Sequence, residues 1–243
     1  MPRLRLNARR IDLWHVPLDE AADPTLFDEY RSLLSHEELQ RLQRFTHDES
    51  RRLFLVGRAL LRKTLSQYTG HAPRGLEFRY NAHGKPSLKT PVETPLEFSV
   101  SHTRGLAVCV VALGDPVGVD VERDRTVSNP LEIAGRFFAP AEAAALEKLP
   151  VERRNAAFIE LWTLREAFVK ARGVGLTTRP ADFAFSLSAD REATVSFSES
   201  SEERPGDWQF ARFRFAAHYR VALAINRPAS ERPAILFRPA MPC

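Results

Sequence analysis

The chain has 243 residues, 44% of them hydrophobic and 27% charged, which is ordinary for a soluble globular protein and enough to bury a sizeable core. Its formal net charge of +4, with arginines clustered in the first half, favours polyanionic or acidic partners without choosing among them. No run reaches the length of a membrane span, and the basic start lacks the apolar stretch of a signal peptide. Cys109 and Cys243 make neither a disulfide framework nor a metal cluster, so a reducing, cytoplasmic setting is expected.

In chain order, "LSHEELQRLQRF" (34–45) reads as a helix with an acidic start, and "RRLFLVGRALLRKTLSQY" (51–68) as a strongly amphipathic one. Strand-like segments follow at 76–81, 96–103 and 105–113, with turn signals at "NAHGKP" and "LGDP". In the first turn Lys85 stands between Gly84 and Pro86, so its backbone is pinned and its ammonium is expected to project. The strand 96–103 ends in Ser99, Ser101 and His102. Ser101 and His102 suit either phosphate contacts or a strand-end cap.

"PVGVDVERDR" (116–125) alternates Val117, Val119 and Val121 with Gly118, Asp120 and Glu122. One face is then apolar and the other carries two carboxylates, an unfavourable pairing unless something positive joins them. In "RFFAPAEAAAL" (136–146) Pro140 and Glu142 fall in the first turn of a helix, a placement that the helix dipole alone accounts for. On the helix 155–172, Phe158, Leu161, Trp162, Phe168 and Val169 share a face, and Glu166 and Lys170 sit one turn apart on its shoulder. These two read either as a surface ion pair or as part of a site, and Arg165 falls inside the apolar arc without explanation. Further strands are expected at 182–187, 193–198, 208–215 and 219–226.

The two halves rhyme. A gapless shift of 104 pairs Leu34 with Phe138, Glu38 with Glu142, Leu42 with Leu146, Phe54 with Phe158, Leu55 with Ile159, Leu60 with Leu164 and Leu65 with Val169. The expected architecture is α+β. Two similar subdomains, 1–115 and 116–243, each place helices on a small, mostly antiparallel sheet, and a cleft between such halves is a natural ligand site. Three carboxylates from a strand and a helix would suit a hard cation such as Mg²⁺, whereas no His or Cys spacing supports zinc.

Taken in order, "GKP", "FSVSHT", "GVDVER", "RFFAPAE" and "LWTLREAFVKARGVGL" resemble the motifs of the 4′-phosphopantetheinyl transferases, of the larger surfactin-synthetase-activating type. The resemblance covers residues from about 34 to about 226. It implies a pseudo-twofold fold and transfer of phosphopantetheine from coenzyme A to a carrier-protein serine, with release of 3′,5′-ADP. It implies that Asp120, Glu122 and Glu166 ligate Mg²⁺, that Glu142 is the general base, and that Lys170 offsets charge on the pyrophosphate. Gly84, Lys85 and Pro86 would line the nucleotide end, and Ser101 and His102 would contact phosphates. Arg52, ahead of Arg44 and Arg58, would meet the 3′-phosphate, although this region departs from the lysine-rich wording of the best-known member.

The implied partners are coenzyme A and acidic apo carriers of fatty-acid, polyketide or peptide pathways, met at 146–154, with no nucleic acid, no membrane and a monomeric chain. Two rival readings stay open at this point. One is a Mg²⁺-dependent nuclease, although D…ExK sites place the lysine two residues after the glutamate and here the interval is four. The other is a non-catalytic coenzyme A or carrier binder.

Overall fold

A computed structural model describes residues 3–18, 24–89, 95–175, 178–187 and 193–240; Leu176, which closes the last motif, and Cys243 lie outside them. The chain begins β1 (Arg10–Pro17), α1 (Pro24–Leu33), α2 (His36–Gln43), α3 (Asp48–Thr69), β2 (Phe78–Tyr80), β3 (Pro86–Leu88), β4 (Leu96–Thr103) and β5 (Leu106–Leu113). It continues with β6 (Val117–Arg123), α4 (Pro130–Phe137), α5 (Pro140–Glu147) and α6 (Val151–Arg172). The last strands are β7 (Phe183–Leu187), β8 (Ala193–Phe197), β9 (Trp208–Phe215), β10 (Tyr219–Asn226) and β11 (Ala234–Pro239). The architecture is α+β.

Two compact units emerge: Met1–Ala82, Pro86–Asp115 and Pro233–Cys243 form one, and His83–Lys85 and Pro116–Arg232 the other. A single cut after residue 115 therefore misplaces two segments. β11 pairs in parallel with β1 and belongs with the first unit's sheet, and the turn 83–85 belongs with the second unit.

In the first unit the sheet order is β11-β1-β5-β4, with β2 and β3 as a separate hairpin. α3 lies on this sheet. Its Leu61 and Leu65 are fully buried in a cluster with Leu34, Phe98, Cys109 and Val111. Buried Asp12 of β1 accepts from Tyr68 Oη at 2.5 Å and pairs with Arg10 and, across to β11, with Arg238.

The second unit has the sheet β6-β10-β9 and the hairpin β7-β8. α6 covers the sheet, and its Phe168 packs against Phe183, Phe185, Phe197, Trp208 and Phe210. Such edge-on aromatic contacts add to plain area burial.

Within each unit the same plan is visible. β1-β5-β4 and β6-β10-β9 share order and antiparallel pairing. α2 and α5 are eight residues each, and α3 and α6 are twenty-two residues each, closed by Gly70 and Gly173 in the left-handed region. The helix bounds also correct the gapless shift: it is 104 from α2 to α5 but 103 from α3 to α6. Fully buried Leu61 and Leu65 thus match fully buried Leu164 and Phe168, and Arg62 matches Arg165.

The matched arginines do matching work. Glu38, at the third position of α2, accepts the backbone N–H of Ser35 and the Nε–H of Arg62 at 2.6 Å. Glu142, at the third position of α5, accepts the backbone N–H of Ala139 and a guanidinium N–H of Arg165 at 2.5 Å. In each unit one glutamate caps a short helix and also clamps it to the long one.

Candidate functional site

Gly118 sets how closely α6 approaches β6. A Cβ at this position would run into the backbone of Ala167 and Ala171, so only glycine allows the contact. The close approach brings Glu166 and Lys170 over the face of β6 that carries Asp120 and Glu122. Lys170 Nζ donates to Asp120 Oδ1 at 2.6 Å, with Asp120 only 5% exposed. The surface pair expected as the bland reading of Glu166 and Lys170 is thus replaced by a contact between helix and strand.

The carboxylates share one electrostatic field. Burial first, and then the charge of Asp120, raise the pKa of Glu122; Glu166 adds to the rise while Arg125 and Lys170 oppose it. Burial and Asp120 likewise raise Glu166, against Lys170 and Arg165. Three carboxylates in mutual repulsion form an oxygen donor set that a hard divalent cation relieves, which fits Mg²⁺. Among the described residues, no group of three or more His, Cys, Asp or Glu side chains is gathered as a coordination shell. The donors are neighbours rather than a closed set.

Glu142 is a different kind of group. It is 2% exposed, and its Oε2 accepts from Ala139 N–H and from Arg165, while its Oε1 accepts from Phe185 N–H at 2.8 Å. Burial raises its carboxyl pKa, opposed by Arg165 and both backbone donors. Both oxygens already accept hydrogen bonds, so Glu142 clamps α5, α6 and β7 together. The same contacts explain Arg165, which the helical wheel left inside the apolar arc. It also reaches the carbonyls of Phe183 and Pro180 and lies 4.1 Å over the Phe183 ring.

Lys85 does not project freely from its turn. Its Nζ donates to Ala171 O at 2.7 Å, a cation on the C-terminal carbonyls of α6. Gly84 has φ of 85°, which the turn requires, and Pro86 opens β3. In the first unit Arg52 is exposed, with its guanidinium over Phe27. Arg44 is exposed too, whereas Arg58 is buried, paired with Glu38 and donating to Tyr80 Oη at 2.6 Å. Arg58 is therefore a structural cation. Ser101 and His102 are neighbours on β4 and point to opposite faces, Ser101 buried and His102 exposed.

Strand registers show what the first unit holds in place of the carboxylates. Asp120 pairs with Ala222 and Trp14 with Cys109, at matching distances from their hairpin turns. Trp14 and Val16 thus occupy the positions of Asp120 and Glu122, and Lys63 and Gln67 those of Glu166 and Lys170. One repeat carries the acids, and the other does not.

Comparison with known proteins matches this arrangement. Residues 116–224 match the 4′-phosphopantetheinyl transferase superfamily, and residues 22–113 match the 4′-phosphopantetheinyl transferase N-terminal family. The chain is 38% identical to the 4′-phosphopantetheinyl transferase HetI of Nostoc sp. over 72% of its own length and 73% of that protein. It is 28% identical to the 4′-phosphopantetheinyl transferase Sfp of Bacillus subtilis over 71% and 75%. A holo-(acyl-carrier-protein) synthase from Bacillus anthracis, solved in complex with CoA (3′,5′-ADP), shares 22% identity over 42% of this chain and 93% of that one, with a TM-score of 0.35. The chain belongs to the 4′-phosphopantetheinyl transferase superfamily and is an enzyme of its Sfp-like type. Among the described residues no helix is long and apolar enough to cross a membrane.

Proposed function

We propose that the chain transfers 4′-phosphopantetheine from coenzyme A to a serine of an apo carrier protein and releases 3′,5′-ADP. The observation that carries this reading is the meeting of Asp120, Glu122, Glu166 and Lys170 on one strand and one helix. Asp120, Glu122 and Glu166 are the residues to hold Mg²⁺, which when bound supplies neutralising charge at the pyrophosphate.

Lys170, now on Asp120, is the cation to offset charge growing on the leaving 3′,5′-ADP. The serine oxygen bonds to the phosphorus that carries pantetheine as the bond from that phosphorus to the bridging pyrophosphate oxygen breaks. The leaving ADP keeps the electron pair, and the serine proton passes to a carboxylate. Glu142, the general base that the family resemblance implies, is engaged on both oxygens and positions Arg165, the neighbour of Glu166. Arg52, Ser101, His102, Gly84, Lys85 and Pro86 are assigned to the coenzyme on the family resemblance, Lys85 through its turn rather than a free ammonium.

Incubation with coenzyme A, Mg²⁺ and an apo carrier, followed by intact mass measurement, tests the proposal. One phosphopantetheine adduct on the carrier is the expected result. No adduct on fatty-acid, polyketide or peptide carriers would overturn it, and nicking of nucleic acid without coenzyme A would favour the nuclease.

A further inference from the structure

Arg220 of β10 stands directly opposite Glu122 of β6, and Ala222 stands opposite Asp120. Directly opposed residues of an antiparallel pair share a sheet face, with Cβ atoms about 5 Å apart. An arginine so placed is expected to close on the glutamate. It does not. Arg220 Nε donates to Asp124 Oδ1 at 2.6 Å, and its Nη1 lies 3.8 Å from Glu160 Oε2. Among the described residues no ion pair joins Arg220 to Glu122.

Asp124 lies two residues beyond Glu122 and so faces the same side. Its N–H donates to His218 O at 2.7 Å, which carries the β6-β10 pairing one residue past the strand. Its other oxygen, Oδ2, accepts from Arg214 of β9 at 2.7 Å, and Arg214 is the register partner of Arg220. One carboxylate thus gathers two guanidinium groups. Of the two, Arg220 is on the strand next to Glu122, and Arg214 is one strand further away.

We infer that Asp124 is a positioning residue for the carboxylate site: by holding Arg220 it keeps a competing cation off Glu122 and leaves the Glu122 oxygens to a divalent cation. The inference rests on the reading of Asp120, Glu122 and Glu166 as the metal-holding set. A guanidinium and a hard cation compete for the same carboxylate lone pairs. With Lys170 already on Asp120, a guanidinium on Glu122 would put cations on two of the three carboxylates. Asp124 offers Arg220 a short charge-assisted bond elsewhere, and Arg214 fixes that carboxylate from its far side.

Mg²⁺ titrated at saturating coenzyme A, with no carrier present, tests this through the rise in melting temperature that binding produces. Asp124→Asn removes the charge that holds Arg220 and should weaken Mg²⁺ about tenfold, as for loss of a group behind a metal ligand. Adding Arg220→Gln should restore wild-type affinity, because the competing guanidinium is gone. Adding Arg214→Gln instead makes the same change in net charge but leaves Arg220 loose, so affinity should stay low. Arg220→Gln alone should bind Mg²⁺ at least as well as wild type, and it keeps the test open should Asp124→Asn not fold. In turnover with an apo carrier, Asp124→Asn should need more Mg²⁺ yet reach a kcat close to wild type at saturation.

Unchanged Mg²⁺ affinity in Asp124→Asn overturns the inference, as does a loss that Arg220→Gln fails to rescue. Equal rescue by both double variants would reduce the effect to net charge and overturn it too. Weakened binding in Arg220→Gln alone would make Arg220 a support of the site rather than a competitor. If Glu122→Gln weakens Mg²⁺ and Asp124→Asn does not, the positioning role alone is wrong. If Glu122→Gln leaves Mg²⁺ affinity unchanged, the metal reading fails and takes this inference with it.

Discussion

Lys170 Nζ and Asp120 Oδ1 lie 2.6 Å apart, joining the last turns of α6 to the middle of β6. This contact turns two locally unremarkable patterns into a site. Asp120 also raises both Glu122 and Glu166, which makes it the shared centre of the field. Asp120→Asn should therefore lower turnover by about 10²–10³-fold while leaving the melting temperature within a few degrees, in line with loss of one well-placed polar group in an active site. Holo-carrier formation by mass and a thermal melt read the two quantities. Near-normal turnover would move the site elsewhere.

Glu122 and Glu166 should cost the metal-free protein stability. Their folded pKa values lie above the unfolded ones, so the folded state holds their protons more tightly. The penalty is absent below the unfolded pKa, grows as pH rises towards the folded pKa, and is complete above it. Glu166→Gln should accordingly raise the melting point in EDTA near neutral pH. The gain should vanish near pH 4, where wild-type Glu166 is itself protonated, while turnover is lost at every pH. A melting point that does not rise at neutral pH would contradict the shared field.

Glu142 separates a clamp from a base. Glu142→Ala leaves Arg165 buried and unpaired, which should cost about 3–5 kcal/mol of unfolding free energy. Glu142→Gln preserves shape and should lower kcat with the acidic limb of the pH–rate profile in place. Disappearance of that limb would return the base role to Glu142.

Glycines offer a contrast between two helix faces. Gly118→Ala pushes a methyl into the α6 backbone, so α6 must move away from β6 and take Glu166 and Lys170 with it. Both stability and kcat should fall, the latter because a small displacement of catalytic groups is costly. At Gly57 of α3 an added Cβ would meet His102 Cδ2 at 2.8 Å, the edge of an exposed side-chain ring rather than backbone. Gly57→Ala should therefore melt near wild type. Unfolding denaturant midpoints for the pair, measured together, decide the point.

By itself the sequence determined what depends on neighbours along the chain. The four helices of the repeat follow from period 3.6, and the face shared by Asp120 and Glu122 follows from period 2, while the metal role of these acids came from the family resemblance rather than from spacing. Tertiary structure decided the partners. β1 escapes a reading by pattern because "RIDLWHVP" carries its polar Asp12 inward, where Arg10, Tyr68 and the distant Arg238 make that burial tolerable. β11 escapes it because its pairing partner, β1, comes from the other end of the chain. Spacing makes Glu142 a helix-start acid with catalytic promise, but Arg165 and the Phe185 N–H close on it; a pinned turn makes Lys85 project, but Ala171 O receives it. A side chain's type and spacing say what it can bond. Which donor or acceptor reaches it first is settled by packing between elements far apart in sequence.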